Sequence, residues 1–143
     1  MTRQLNILLV EDNPGDIELV KIGLEETNAD VNLTVIQDGQ HALDHINDNE
    51  TVPDIILLDI NLPKVNGFDV LKAIRGSACY QMVPVIILTS SSAEVDIAKS
   101  YAEHANSYVT KPARFDNFVD VIRSIDSFWF TNASLPKDKL IKN

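Results

Sequence analysis

Four strand-like runs in this chain end in residues that can do chemistry. Glu11 and Asp12 follow the run 5–10, Asp59 follows 55–58, Thr89 follows 85–88 and Lys111 follows 106–110. Three carboxylates, a hydroxyl and an ammonium have a definite use if they meet. Carboxylates ~4 Å apart repel by about 4 kcal/mol at an effective dielectric near 20, so Glu11, Asp12 and Asp59 in one cleft call for a cation. A hard dication with oxygen ligands answers that need, and beside a phosphate magnesium is the usual one. A carboxylate next to such an ion can attack phosphorus and form an aspartyl phosphate. The transferred group spreads negative charge over three oxygens. Positive charge from the cation and Lys111, with a hydroxyl donor from Thr89, would stabilise it. Together they make a coherent phosphoryl-acceptor set.

Such a set requires elements that bring the four run ends together. Ile55 to Leu58 is apolar at every position, the pattern of a strand buried on both faces in a parallel sheet. Asp59 stops that run, and the turn formers Asn61, Pro63, Asn66 and Gly67 follow it. Residues 5–10 and 85–88 read as two more buried strands. Val31 to Ile36 alternates, as a strand nearer an edge does, and 106–110 supplies a fifth. Between them lie helical patterns. Asn13 or Asp12 caps the first with Pro14 at its first position, and Ile17, Val20 and Leu24 form its apolar stripe. Further helices are expected from Gly39 to about Asn47, Gly67 to about Arg75, Ala93 to about Glu103 and Arg114 to about Phe130. Strand and helix thus alternate five times over connections short enough to demand right-handed crossovers. The predicted fold is α/β: a doubly wound, five-stranded parallel sheet of flavodoxin-like order 2-1-3-4-5 with five helices. Its ligand site lies outside the carboxyl ends of the strands, beside the first and third.

Bulk properties bound the partners. At 143 residues, 45% apolar and 23% charged, the chain has the size and composition of one globular domain. Twelve Lys and Arg stand against 21 Asp and Glu, a net charge of −9, which disfavours binding to nucleic acid. No apolar run approaches the ~20 residues needed to cross a bilayer, and no signal peptide is visible, so no membrane partner is expected. A single cysteine, Cys79, excludes an internal disulfide and fits a reducing cytoplasm. His41 and His45 stand i, i+4 on the second helix, but the sequence places no third ligand beside them, and a solvated pair is the expectation.

The acidic pair Glu11-Asp12, the strand-ending Asp59 and Thr89, and Lys111-Pro112 together resemble the receiver domain of a two-component response regulator, over roughly Leu5 to Phe130. The resemblance implies that Asp59 is phosphorylated by a sensor histidine kinase. It also implies that Asp12, Glu11 partly through water, and the Asn61 carbonyl join Asp59 in binding Mg2+. By the same resemblance Thr89 and Lys111 contact the phosphoryl group, Tyr108 is an aromatic switch that rotates inward with Thr89, and Lys111-Pro112 is a cis peptide. Glu11-Asp12-Asn13-Pro14-Gly15-Asp16 and the segment Ser124 to Phe130, with Leu135-Pro136 after it, are similar to the stand-alone regulators paired with phytochromes. On this reading residues 5–130 form the receiver domain, and 131–143 is a C-terminal extension without a separate output domain.

Two other functions compete. A degenerate receiver would act only as an interaction module, which the intact site argues against. An aspartyl-phosphate phosphatase needs a second acid two residues after its nucleophile, and that position holds Asn61, which cannot shuttle a proton. The receiver is therefore expected to act as a signalling phospho-acceptor rather than as an enzyme with an external product. The last helix carries more apolar surface than one packing face needs. Phe118, Ile122, Ile125, Phe128 and Trp129 are accordingly expected to form a homodimer interface.

Overall fold

A computed structural model of the chain describes residues 4–27, 30–48 and 51–136. The elements run β1 (Leu5–Val10), α1 (Pro14–Glu25), β2 (Val31–Ile36), α2 (Gly39–Asp48), β3 (Ile55–Leu58), α3 (Gly67–Gly76), β4 (Val85–Thr89), α4 (Glu94–Ala102), β5 (Ser107–Thr110) and α5 (Phe115–Ile125). The strands form one parallel sheet of order β2-β1-β3-β4-β5, as the alternating pattern predicts.

Strand alternation sorts the core into two layers. Leu8, Val10, Ile56, Leu58, Val85 and Ile87 face Ala42 and Ile46 of α2 and Val70, Leu71 and Ile74 of α3. Their neighbours Ile7, Leu9, Ile55, Leu57, Ile86 and Leu88 face Ile17, Val20 and Leu24 of α1 and Phe118, Ile122 and Ile125 of α5. Both faces of β1, β3 and β4 are therefore dry, and these strands carry no polar side chain in their central stretches. Helix α1 begins as expected: the Asn13 side chain accepts from the Asp16 N–H at 3.0 Å, with Pro14 at the first turn.

Three expectations need correction. The last helix does not continue regularly to Phe130. It gives way after Ile125 to a π-helical segment, Asp126–Asn132, closed by a bond from the Ala133 N–H to the Phe128 carbonyl at 2.7 Å. The wider turns bring Trp129 and Phe130, with Leu135 beyond them, against the α1–α5 core layer. Phe118, Ile122 and Ile125, expected at an interface, are buried inside the domain instead. The sheet face over β1, β3 and β4 claims the stripe that sequence alone leaves without a partner. Lys111-Pro112, expected cis, is trans, as is every peptide bond among the described residues. Trans is the lower-energy form even before proline.

Candidate phosphoryl-acceptor site

Parallel register sets the strand ends in one row. Val10 pairs with Leu58, Leu58 with Ile87, and Thr89 with Thr110, so the next residues of β1, β3 and β5 emerge together at the carboxyl edge. Backbone bonds carry the order one step further: Glu11 N to the Ile36 carbonyl (2.9 Å), Asp59 N to the Val10 carbonyl (3.0 Å) and Lys111 N to the Thr89 carbonyl (2.7 Å). The functional side chains thus leave a backbone that is already fixed.

Asp59 lies at the centre. Its Oδ1 accepts from the Thr89 hydroxyl at 2.8 Å and from the Asn61 N–H at 2.9 Å, and its Oδ2 accepts from the Lys111 ammonium at 2.8 Å. The Asn61 side-chain amide reaches back to the Thr89 hydroxyl oxygen at 3.4 Å. Lys111 also donates to Glu11 Oε1 and, at 2.9 Å, to Asp16 Oδ2. Glu11, Asp59, Thr89 and Lys111 are all buried, while Asp12 is half-buried.

Glu11, Asp12 and Asp59 each offer an oxygen, and these ligand atoms lie within 4.8 Å of one another. Hard, anionic and oxygen-only, this donor set suits a divalent cation such as Mg2+ or Mn2+. The electrostatics point the same way. Burial pushes the Glu11 carboxyl up to about 7 despite its hydrogen bond from Lys111, and the nearby Asp59 charge adds to the rise. Burial pulls Lys111 down, yet hydrogen bonds to Asp59, Glu11 and Asp16 outweigh it, and the ammonium is held above its usual range. One lysine does not neutralise the cleft.

The structure brings together Glu11, Asp12, Asp59, Asn61, Thr89 and Lys111. Tyr108 lies on β5, and its hydroxyl donates to the Ser91 carbonyl at 2.8 Å, so the ring bridges to the loop that follows Thr89. Ser91 itself donates to Asp96 of α4 at 2.6 Å. Sequence reasoning assigned no role to Asp16, which the structure sets on Lys111. A signal was present: Asp16 stands four residues after Asp12, one turn into α1, on the helix end that faces the acids. Of the histidine pair, His41 is held by Asp38. Of the expected interface residues, Phe128 is exposed and Trp129 half-buried, their rings meeting edge to face at 5.3 Å.

A parallel sheet of this order, carrying acids, a threonine and a lysine at its carboxyl edge, defines a class of phosphotransfer module. Residues 7–123 match the model of the response regulator receiver domain, and the chain belongs to that family. Among curated relatives it is 36% identical to the response regulator Rcp1 of Synechocystis sp., over 91% of this chain and 92% of that one. Its fold superposes on the phosphorylated cyanobacterial phytochrome response regulator RcpA with a TM-score of 0.90, at 35% identity over 94% of this chain and all of that one. The Mn2+-bound form of Rcp1 gives a TM-score of 0.88, at 36% identity over 92% of this chain and 99% of that one. Among the described residues no helix is long and apolar enough to cross a membrane.

Proposed function

We propose that Asp59 accepts a phosphoryl group from the phosphohistidine of a sensor histidine kinase, and that the resulting aspartyl phosphate switches a protein-interaction surface. The observation that carries this reading is the position of the Asp59 carboxylate between the Thr89 hydroxyl and the Lys111 ammonium, each at 2.8 Å, beside two further acids. An Asp59 oxygen forms a bond to phosphorus as the bond from phosphorus to the donor imidazole nitrogen breaks. Lys111 and Thr89 donate to the phosphoryl oxygens, over which the transferred group's negative charge is spread in the transition state. Glu11, Asp12 and Asp59, with the Asn61 carbonyl, would hold Mg2+, which when bound supplies countercharge to the acids and the arriving phosphate. The existence of a Mn2+-bound form of the relative Rcp1 supports binding of a divalent ion.

Readout follows from the Thr89 hydroxyl. Once it turns to the phosphoryl group it leaves Asp59 Oδ1, the loop through Ser91 moves with it, and Tyr108 loses its fixed acceptor. The equilibrium between the two arrangements is biased by contacts that exist only with phosphate bound. Similarity to phytochrome response regulators supports a phytochrome-type sensor as donor, in a reducing cytoplasm. The receiver spans 5–130, with 131–143 as its extension, and Phe128, Trp129 and their surroundings form a homodimer surface. Incubation with acetyl phosphate and MgCl2 tests the central step. Gain of one phosphoryl group on Asp59, abolished in Asp59→Asn, is expected; no gain overturns the reading.

A further inference from the structure

The Lys111 ammonium has three N–H donors, and three carboxylates take them: Glu11, Asp16 at 2.9 Å and Asp59 at 2.8 Å. No donor is left for a fourth acceptor. A phosphoryl oxygen arriving at Asp59 must therefore take a hydrogen from one of the three. Glu11 is 1% exposed and cannot trade Lys111 for water, and Asp59, once its oxygen bonds phosphorus, frees only one Lys111 hydrogen for the three phosphoryl oxygens. The Asp16 side chain is 24% exposed, and it alone of the three can turn outward and be solvated.

Asp16 is fixed near Lys111 by the start of α1, where its N–H is held by the Asn13 cap at 3.0 Å. It stands apart from the cluster of Glu11, Asp12 and Asp59 that could hold a cation. Since one ammonium touches both, the Asp16 and Asp59 carboxylates lie within roughly 6 Å of each other. A second anion at that distance attracts a dication and repels a phosphoryl group.

We propose that Asp16 is a positioning residue of this site, whose carboxylate competes with the phosphoryl group for the Lys111 ammonium and so weakens the phosphoryl-bound state. The proposal rests on the phosphoryl-acceptor reading of Asp59. It assigns opposite effects on two ligands to one side chain. Loss of the Asp16 charge weakens Mg2+ binding and strengthens binding of a phosphoryl group.

Titration calorimetry on the wild-type chain, Asp16→Asn and Asp16→Glu reads both effects, with Mg2+ alone and then with trifluoroberyllate, a phosphoryl mimic, at saturating Mg2+. For Asp16→Asn we expect Mg2+ affinity to fall and trifluoroberyllate affinity to rise, each by roughly 3- to 10-fold, the size of one charge across a partly solvated cleft. Asp16→Glu, which keeps the charge, should stay near wild type. Weakening of both ligands in Asp16→Asn would mark a merely structural role and overturn the proposal, as would no change in either. An Asp16→Glu protein behaving like Asp16→Asn would also overturn it. If wild type bound no trifluoroberyllate, or Asp59→Asn bound it equally well, the phosphoryl-acceptor reading would fall and this proposal with it.

Discussion

Gly67 lies so close to Asp59 that a Cβ on it would stand 2.4 Å from the Asp59 carbonyl oxygen, and equally close to the Ile60 Cα. The obstacles are backbone atoms, which cannot swing aside, and the Gly67 N–H also donates to the Ile60 carbonyl at 2.9 Å. Helix α3 is thus seated directly on the loop that carries the site. Gly67→Ala must push that loop away. We expect a cost of about 1–3 kcal/mol in denaturant unfolding, together with slower phosphorylation by acetyl phosphate. An unchanged rate would mean that loop alignment is not critical.

The Glu11 carboxyl sets a pH dependence. Its folded pKa of about 7 lies above the usual 4.5, so folding favours the protonated form. The stability that this group contributes is full below about 4.5 and is lost as pH climbs through about 7. Lys111, held above its ordinary value, stays charged throughout this window. Cation binding needs the carboxylate and expels the proton. Mg2+ affinity should therefore rise with pH up to about 7 and level off above it. Calorimetry in buffers of different ionisation enthalpy should read proton release near pH ~6 and almost none above pH ~8. A flat profile would remove Glu11 from the ion's surroundings.

Arg75 ties together the segments on either side of β4. It donates to the carbonyls of Val83 (2.8 Å), Gln81 (3.2 Å) and His104 (3.0 Å), and to Asn106 Oδ1 (2.9 Å), which also accepts from the Val85 N–H at 2.8 Å. Arg75→Met keeps much of the stem but strands these acceptors. A loss of about 2–4 kcal/mol in thermal or denaturant unfolding is expected, with phosphorylation of the folded fraction intact, because no group at the site is touched. A loss below about 0.5 kcal/mol would show that water replaces the guanidinium freely.

The two ends of the last helical stretch should respond differently. Ile122 is fully buried and packs against Gly23 of α1, where a Cβ would come within 2.6 Å of the Ile122 Cβ. Ile122→Ala should cost about 2–5 kcal/mol in the monomer. Phe128 is 56% exposed and lines a groove of about 290 Å³ with Val109, Val121 and Trp129. Phe128→Asp should leave stability nearly unchanged and shift sedimentation towards the monomer. Unaltered sedimentation would remove the dimer surface.

Much of the fold was legible because burial on both faces leaves an unambiguous mark. The limits of β1, β2 and β3 agree with the expected strands to the residue: β3 is apolar throughout because helices cover both its faces, while β2 alternates at the edge of the sheet. Glu11, Asp12, Asp59, Thr89 and Lys111 were legible for the complementary reason: each stands where a strand stops. Helix ends were less so: fraying and capping shift them by about one or two residues, and the last helix gives way to the π-helical segment after Ile125 rather than at Phe130.

By itself the sequence determined which strands pair in parallel and which residues stand at their carboxyl ends, because alternation of strand and helix over short crossovers leaves few arrangements. Tertiary structure alone decided which apolar surface remained free. Along the chain Phe118, Ile122 and Ile125 form one stripe and Phe128 lies off it, but only the nearness of the sheet and α1 shows that the stripe is core and Phe128 surface. It alone also decided that Asp16 meets Lys111 across 95 residues. An ion pair leaves no periodicity in a sequence; it exists only where two elements are packed side by side.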